Sequence, residues 1–440
     1  MAYLENPYDG LVGGTWLRGN LHTHTTVSDG QLSLQQTVNL YAGFGHDFLA
    51  LTDHEILIDP AGIAALDSRG MILVPGYEVA GGPHVVHLGA HQRLTPTLSR
   101  QEIFNAVPQA GGLVIVAHPD WLGQFDHATI EQLREWTGYA GMEIYNGGIE
   151  EEDGSCYALS KWDMLLAAGR RVWGFANDDC HNPAKSGRGW NVVYVTDRSA
   201  EGIVDALKKG RFYASTGVTI RSIQVEGLQV RIEAEDADRI LAIGATGKRL
   251  AMADGNLLEL RVPDSARYVR FECLGRRQAA AWTQPMFVHA DAKSMKALSF
   301  LDTWNVSPRM ADSDLADVDP VKAATRCTMP VQGRPFGHIL EGFVDLRPQI
   351  EAQPGVVFLR TTFRKTAGRG ILKLGYDGPI RIWLNGKEVF HGPGTNPAVL
   401  DKMQFFVDFR EGENEILIAM NSNGGKVWGL FARAETPGRD

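Results

Sequence analysis

Between Trp16 and Gly210 short apolar runs alternate with helical stretches, and after about Ser215 that rhythm stops. The first part reads WLRGNLH, LSLQQTVNLYAGFG, DFLALTDHE, MILVPGYE, GGLVIVAHPD, TIEQLREWTGY, GMEIYNG, YALSKWDMLLAAG, RRVWGFANDD, NVVYVTD and AEGIVDALKKG. Strand-length runs separated by helical periodicity predict an α/β domain over residues 1–215, with about seven strands in a barrel or a large parallel sheet. Beyond it, TIRSIQVEG, LQVRIEAED, RILAIGA, LLELRVP and ARYVRFECLG are short, β-branched and closely spaced, which predicts a small β-sandwich over 216–290. Residues 291–349, with SPRMADSDLADVDP, read as linker or irregular structure. The β pattern resumes over 350–440, with turns at DG, NG and EGEN, and predicts a second β-sandwich.

Chemistry-bearing residues concentrate in the first of these regions. Of the 13 histidines, His22, His24, His46, His54, His84, His87, His91, His118, His127 and His181 precede residue 182, and several stand where a predicted strand ends. In βα folds the loops after the strands hold the reacting groups, so a polar donor recurring past successive apolar runs predicts one shared site. His22 and His24 are two apart and face one way if extended, with Asp29 in the following loop. FLALTDH ends in Asp53 and His54, LVPGYE in Glu78, and HVVHLG offers His84 and His87. VIVAHPD ends in His118, and WGFANDDCH in Asp178, Asp179 and His181. Imidazoles with carboxylates suit zinc, iron or manganese. Burying so many ionisable groups together without a cation would cost several kcal/mol per desolvated charge.

Charge and cysteine usage narrow the classes. A formal net charge of −9 excludes a general DNA or RNA binder. Cys156, Cys180, Cys273 and Cys327 form no CxxC pair, so neither a disulfide framework nor a zinc ribbon is expected. The start MAYLENPYDG lacks the basic and apolar regions of a signal peptide, and no apolar run approaches the roughly 18 residues of a membrane span. The expected location is the cytoplasm, or outside the cell where a signal peptide has been removed.

HTH with a trailing SDG, then TDH, GYE, AHP and DxH, in this order, resemble the polymerase and histidinol phosphatase (PHP) superfamily over roughly residues 15–215. The closing AEGIVDALKKGRFYASTG and the sandwich after it are similar to the CehA/McbA-like metallohydrolase branch, named for bacterial carbamate hydrolases. The resemblance implies a distorted (βα)7 barrel with a trinuclear metal site at the C-terminal ends of its strands. It implies one metal on His22, His24, Glu78 and Asp179, a second on Glu78, His84 and His118, and a third on Asp29, His54 and His181. His87 is the alternative to His84, and Asp178 to Asp179.

Such a site is expected to bind two or three divalent ions (Fe, Mn or Zn) and to hydrolyse a phosphate ester with a metal-bound hydroxide. No GxSxG nucleophile elbow occurs. His87 and His91 are candidate proton donors, Lys185 and Arg188 in HNPAKSGRGW candidate phosphate-binding residues, and Trp121 and Trp190 candidates for the mouth. The rival expectation is a carbamate, ester or amide hydrolase with the same metals, and a non-enzyme alternative is a metal-stabilised carbohydrate-binding protein. IRIWLNGKEVF, EGENEILIAM and WGLFARAE resemble a galactose-binding-like jelly roll, with Trp383, Asn385 and Trp428 as candidates for a sugar platform. The expected partner is a small phosphorylated or carbamate substrate, with a carbohydrate at the C-terminal domain, and neither nucleic acid nor membrane.

Overall fold

The computed structural model describes residues 2–95, 98–123, 125–289, 300–311, 314–336, 339–394 and 397–435. The chain divides into two units, Met1–Asp291 and Ala292–Asp440. It is an α/β protein rich in strands.

The α/β part of the first unit contains β1 (Tyr3–Glu5), β2 (Thr15–Asn20), α1 (Leu34–Gly43), β3 (Phe48–Leu51), α2 (Pro60–Ala64), β4 (Ile72–Val79), β5 (Val85–Leu88) and α3 (Arg100–Gln109). It continues through β6 (Leu113–Val116), α4 (Ile130–Glu135), β7 (Gly141–Asn146), α5 (Leu159–Ala167), β8 (Trp173–Asn177), β9 (Trp190–Val195), α6 (Ala200–Lys208) and β10 (Phe212–Ser215). β3, β6 and β7 are buried along their whole length, as continuous apolar runs require when both sheet faces are covered. Ser33 with Gln36, Ser99 with Glu102, and Thr129 with Gln132 form capping boxes that satisfy the first amides of α1, α3 and α4.

β2, β3 and β4 pair in parallel, and so do β6, β7 and β8, but β5 lies between the two sets, antiparallel to β4 and to β6. Residues 80–84, which join β4 to β5, are too few for a crossover, so the chain turns back as a hairpin and the expected strand–helix alternation is interrupted there. β9 runs antiparallel to β2. The far ends of β2 and β8 are also joined: Thr23 and Cys180 form a parallel bridge, and the Leu21 amide donates to Asn177 Oδ1 at 3.2 Å. The loops after β2, β3, β4, β6 and β8 therefore open on one space.

The β part of this unit continues the same sheet. β10 pairs with Ala280–Thr283, which leads to Tyr268–Gly275, Met286–His289 and β1. A three-stranded sheet of Ile220–Glu226, Gln229–Ala234 and Leu257–Arg261 contributes to a shared core with Ile232, Ile240, Val269 and Phe271. The strands Tyr268–Gly275, Ala280–Thr283 and Met286–His289 thus share a sheet with the α/β part.

In the second unit, one sheet contains Thr303–Val306, Met329–Gln332, Val356–Lys365, Ile380–Leu384, Lys387–Gly392 and Gly412–Asn421. The other contains Arg334–Phe336, Ile339–Asp345, Gly368–Tyr376, Met403–Phe409 and Gly429–Glu435. Trp304, Leu359, Leu374 and Ile418 meet in the core between them. Thr303–Val306, Met329–Gln332, Arg334–Phe336 and Ile339–Asp345, in a stretch expected to be irregular, thus supply strands to both sheets; the first residues of that stretch lie outside the described ones. At the end of the Asp- and Pro-rich run Asp319 caps a short helix, Pro320–Arg326, with Pro320 in its first turn. Trp383 is buried, Asn385 is bonded to Asn414 and Glu415, and Trp428 is half exposed beneath the Arg347 guanidinium, so the three do not form one exposed platform. No helix among the described residues is long and apolar enough to cross a membrane.

Two buried histidines outside the donor cluster, His46 and His87, have no hydrogen-bond partner at either ring nitrogen among the described residues. Burial pushes His46 down to about 3 and His87 to about 4. Both fold as neutral rings and protonate more readily once unfolded, so their contribution is complete above about pH 6.5 and is lost as the pH falls toward these values. Urea unfolding should show a loss of about 2–3 kcal/mol per histidine between pH 6.5 and 4.5. His46→Leu and His87→Leu should flatten that slope, and an unchanged slope in the double variant would refute the assignment.

Candidate metal centre

The donors converge because each leaves the same end of a strand. His22 and His24 follow β2, His54 follows β3, Glu78 lies near the end of β4, His118 follows β6, and Asp179 and His181 follow β8. His84 is delivered by the hairpin before β5, and Asp29 by the loop after β2. Asp53 shapes that loop by accepting from the amide and hydroxyl of both Thr25 and Ser28. Gly30 closes it: a Cβ there would lie 2.5 Å from the His24 carbonyl.

Glu78 stands at the centre and is fully buried. Its Oε2 is 3.3 Å from His22 Nε2, 3.3 Å from His24 Nε2 and 2.9 Å from His54 Nδ1. Its Oε1 is 3.1 Å from His84 Nδ1 and 3.3 Å from His118 Nε2. Asp179 Oδ1 lies 3.3 Å from His22 Nε2, 3.1 Å from His24 Nε2 and 3.5 Å from His181 Nδ1. On the outer side, Asp29 Oδ2 is 3.5 Å from His54 Nε2 and 3.4 Å from His181 Nε2. Four overlapping groups have spacing suited to a cation: His24, Asp29, His54 and His181; His22, His24 and Asp179; His54, Glu78 and His84; and His84, His118 and His127.

These contacts fit divalent cations better than hydrogen bonds. Nitrogen and oxygen ligands at about 2.0–2.2 Å from one ion are held about 3.0–3.5 Å from each other, the range seen here. Glu78 Oε2, Asp179 Oδ1, His24 Nδ1, His54 Nδ1 and His118 Nδ1 are buried without a hydrogen-bond partner among the described residues, an arrangement that costs free energy unless something binds them. Imidazole and carboxylate donors without thiolate suit zinc, iron or manganese. His22 Nε2 and His24 Nε2 are only 3.2 Å apart and face the same two carboxylates.

Burial alone would lower His22 and His24, but Asp179 and Glu78 overcome it, raising His22 well above the usual imidazole value and His24 to about 9. Burial would likewise raise Glu78 and Asp179, yet the surrounding imidazoles hold both well below the carboxylate range. Protons and cations compete for the same nitrogens, so metal uptake is expected to weaken as the pH falls.

Sequence reasoning missed Glu143, in the middle of β7. It accepts from His22 Nδ1 at 2.8 Å, from the His118 amide at 2.8 Å and from Asn177 Nδ2 at 2.9 Å. It thereby turns Nε2 of His22 toward the cluster and holds His118 at a φ of 24°. The available signal was a carboxylate inside the apolar run GMEIYNG. His127 was counted without a role and lies buried against His84 and His118.

Other candidates fall elsewhere. In the β4–β5 pairing His87 is opposite Tyr77, whereas Glu78 is opposite Val86, so His87 faces away from the cluster. His91 is exposed and does not line the cavity over the donors. Asp178 also points away, accepting from Tyr41 Oη and from the amides of Gly187, Arg188 and Gly189; it shapes the loop that carries Lys185. Arg188 is paired with Glu150 and Glu151, and Trp190 lies under Arg18. The cavity itself has a volume of about 370 Å³; beyond the donors it is walled by Trp121, Ile149, Glu152, Asn182 and Lys185. Lys185 Nζ is 3.5 Å from Glu151.

No family model matches the chain, and no curated protein matches it. Among solved structures it is similar to a two-domain protein from Bacteroides vulgatus described as containing a predicted PHP-like metal-dependent phosphoesterase, at 17% identity and a TM-score of 0.38, over 62% of this chain and 96% of that one. It is also similar to an amidohydrolase from Chromobacterium violaceum with bound sulfate and no metal, at 17% identity and a TM-score of 0.28, over 38% of this chain and 88% of that one. A lesion-specific endonuclease from Pyrococcus furiosus matches at 16% identity and a TM-score of 0.32, over 44% of this chain and 56% of that one.

Proposed function

We propose that this chain is a PHP-type metal-dependent hydrolase, acting as a phosphoesterase, whose cluster holds two or three divalent ions of iron, manganese or zinc. The observation that carries the reading is Glu78, a buried carboxylate with five imidazole nitrogens from five chain positions within 2.9–3.3 Å of its two oxygens. In this reading His22, His24, Glu78 and Asp179 hold one ion, Glu78, His84 and His118 a second, and Asp29, His54 and His181 a third. The run from β2 to β8 is read as a distorted (βα)7 barrel, within the CehA/McbA-like branch. In this reading residues 1–215 are the hydrolase domain, 216–290 a small β-sandwich, 291–349 the segment linking it onward and 350–440 a galactose-binding-like sandwich.

Divalent ions bound here would supply Lewis acidity toward water and toward phosphoryl oxygens. The chain's own residues do the rest. Glu143 keeps His22 in one orientation, Asp53 holds the loop of Asp29, and Asp178 holds the loop of Lys185. Lys185, a cationic side chain lining the cavity, orients the anionic group of the substrate; Arg188 pairs with Glu150 and Glu151 and does not line the cavity among the described residues.

A second reading, carbamate, ester or amide hydrolysis, is favoured by Trp121 and Ile149, which give the cavity an apolar wall. The test is elemental analysis of protein purified without added metal, alongside phosphate release from aryl and nucleotide phosphates and turnover of a naphthyl carbamate. The expected result is two to three equivalents of metal, phosphate release, and loss of both in His118→Ala. Carbamate turnover alone would select the second reading. Metal without turnover of either would leave a metal-stabilised carbohydrate-binding protein, and no metal at all would refute the assignment.

A further inference from the structure

We infer that His127 is a positioning residue that sets the place of His84 in the metal cluster. His84 is the one proposed ligand carried on a hairpin turn, at the entry to β5. Its carbonyl accepts from the Ala117 amide at 3.0 Å, which continues the β5–β6 ladder, while its amide donates to His127 Nε2 at 2.8 Å. Arg100 adds bonds to the carbonyls of Ala80 and Pro83.

His127 is built for this task. It is 1% exposed, its ring stacks on Phe125 at 5.0 Å and packs edge-on to His84 at 4.5 Å. Its backbone is tied to the residues just after His118, with the His127 amide donating to the Trp121 carbonyl and the Ala128 amide to the Pro119 carbonyl. A ring nitrogen that accepts from an amide carries no proton, so the proton of neutral His127 is on Nδ1. One side chain thus fastens the hairpin of His84 to the loop of His118, and both of those imidazoles face Glu78 Oε1. His127 fixes His84 through its backbone, as outer groups commonly orient metal ligands.

The inference rests on the proposed metal site but is tested by binding rather than turnover. Zinc affinity is measured by chelator competition on the full chain for wild type, His127→Leu, His127→Gln, His84→Ala and the double variant His84→Ala/His127→Leu. His127→Leu removes the acceptor and should weaken one zinc equivalent about 10- to 100-fold. In His127→Gln the amide oxygen can reach the position of Nε2, so affinity should return to within a few-fold of wild type. The double variant should bind no more weakly than His84→Ala alone, because the two residues act through one ligand. Unchanged affinity in His127→Leu would overturn the inference, and so would additive losses in the double variant. A His127→Gln protein that stays folded yet binds as poorly as His127→Leu would make the ring itself the ligand and would also overturn it. Wild-type protein that takes up no zinc would sink the metal-site reading together with this inference.

Discussion

Glu78→Gln is expected to lower hydrolysis at least about a thousand-fold, or about 4 kcal/mol of transition-state stabilisation, and to release metal from the purified protein. The carboxylate presents one oxygen to His22, His24 and His54 and the other to His84 and His118. Glutamine has nearly the same shape but turns one oxygen into an NH2 donor, which cannot ligate and must face imidazole nitrogens. The loss is therefore electronic rather than steric, and circular dichroism of the variant should remain that of wild type. Metal content and turnover within tenfold of wild type would show that Glu78 is merely a buried hydrogen-bonding group.

The second large effect concerns stability. Asp163 on α5 accepts from Arg270 Nε at 2.8 Å, from Arg270 Nη2 at 2.7 Å and from Tyr268 Oη at 2.8 Å. Arg270 is 1% exposed, and it also reaches Glu272 at 2.6 Å. Asp163→Ala leaves a guanidinium buried with half its partners gone, which should cost about 3–5 kcal/mol and lower the midpoint of thermal unfolding by about 10 °C. An apolar double replacement, Asp163→Leu with Arg270→Met, should recover most of the loss, since a buried ion pair gains little over well-packed apolar groups. A midpoint within 2 °C of wild type in Asp163→Ala, an approximate margin set by the expected shift per kcal/mol, would show that the pair is solvated in solution. Because the pair joins an α/β helix to the strand Tyr268–Gly275, its loss should loosen both parts of the first unit together.

How much could be read from the chain follows from which features are local. HTH carries its geometry in its spacing, and TDH, GYE and AHP each follow an apolar run whose end is plain in the residues themselves. The β5 strand was harder, because HVVHLG is too short to show its direction, and only its pairing with β4 and β6 makes it antiparallel. Strands Thr303–Val306 and Met329–Gln332 were opaque for a related reason: each is four residues long and is held by pairing with distant strands of its sheet.

The chain alone already placed a series of imidazoles and carboxylates at the ends of apolar runs in its first two hundred residues. It did so because strand periodicity and strand ends are properties of neighbours in the chain. Which of them face one another was settled by folding. Register placed Glu78 inward and His87 outward, a loop turned Asp178 to three backbone amides while Asp179 met His22 and His24, and packing brought Glu143 and His127 behind the donors. Those choices depend on contacts between residues far apart in sequence, and no local pattern carries them.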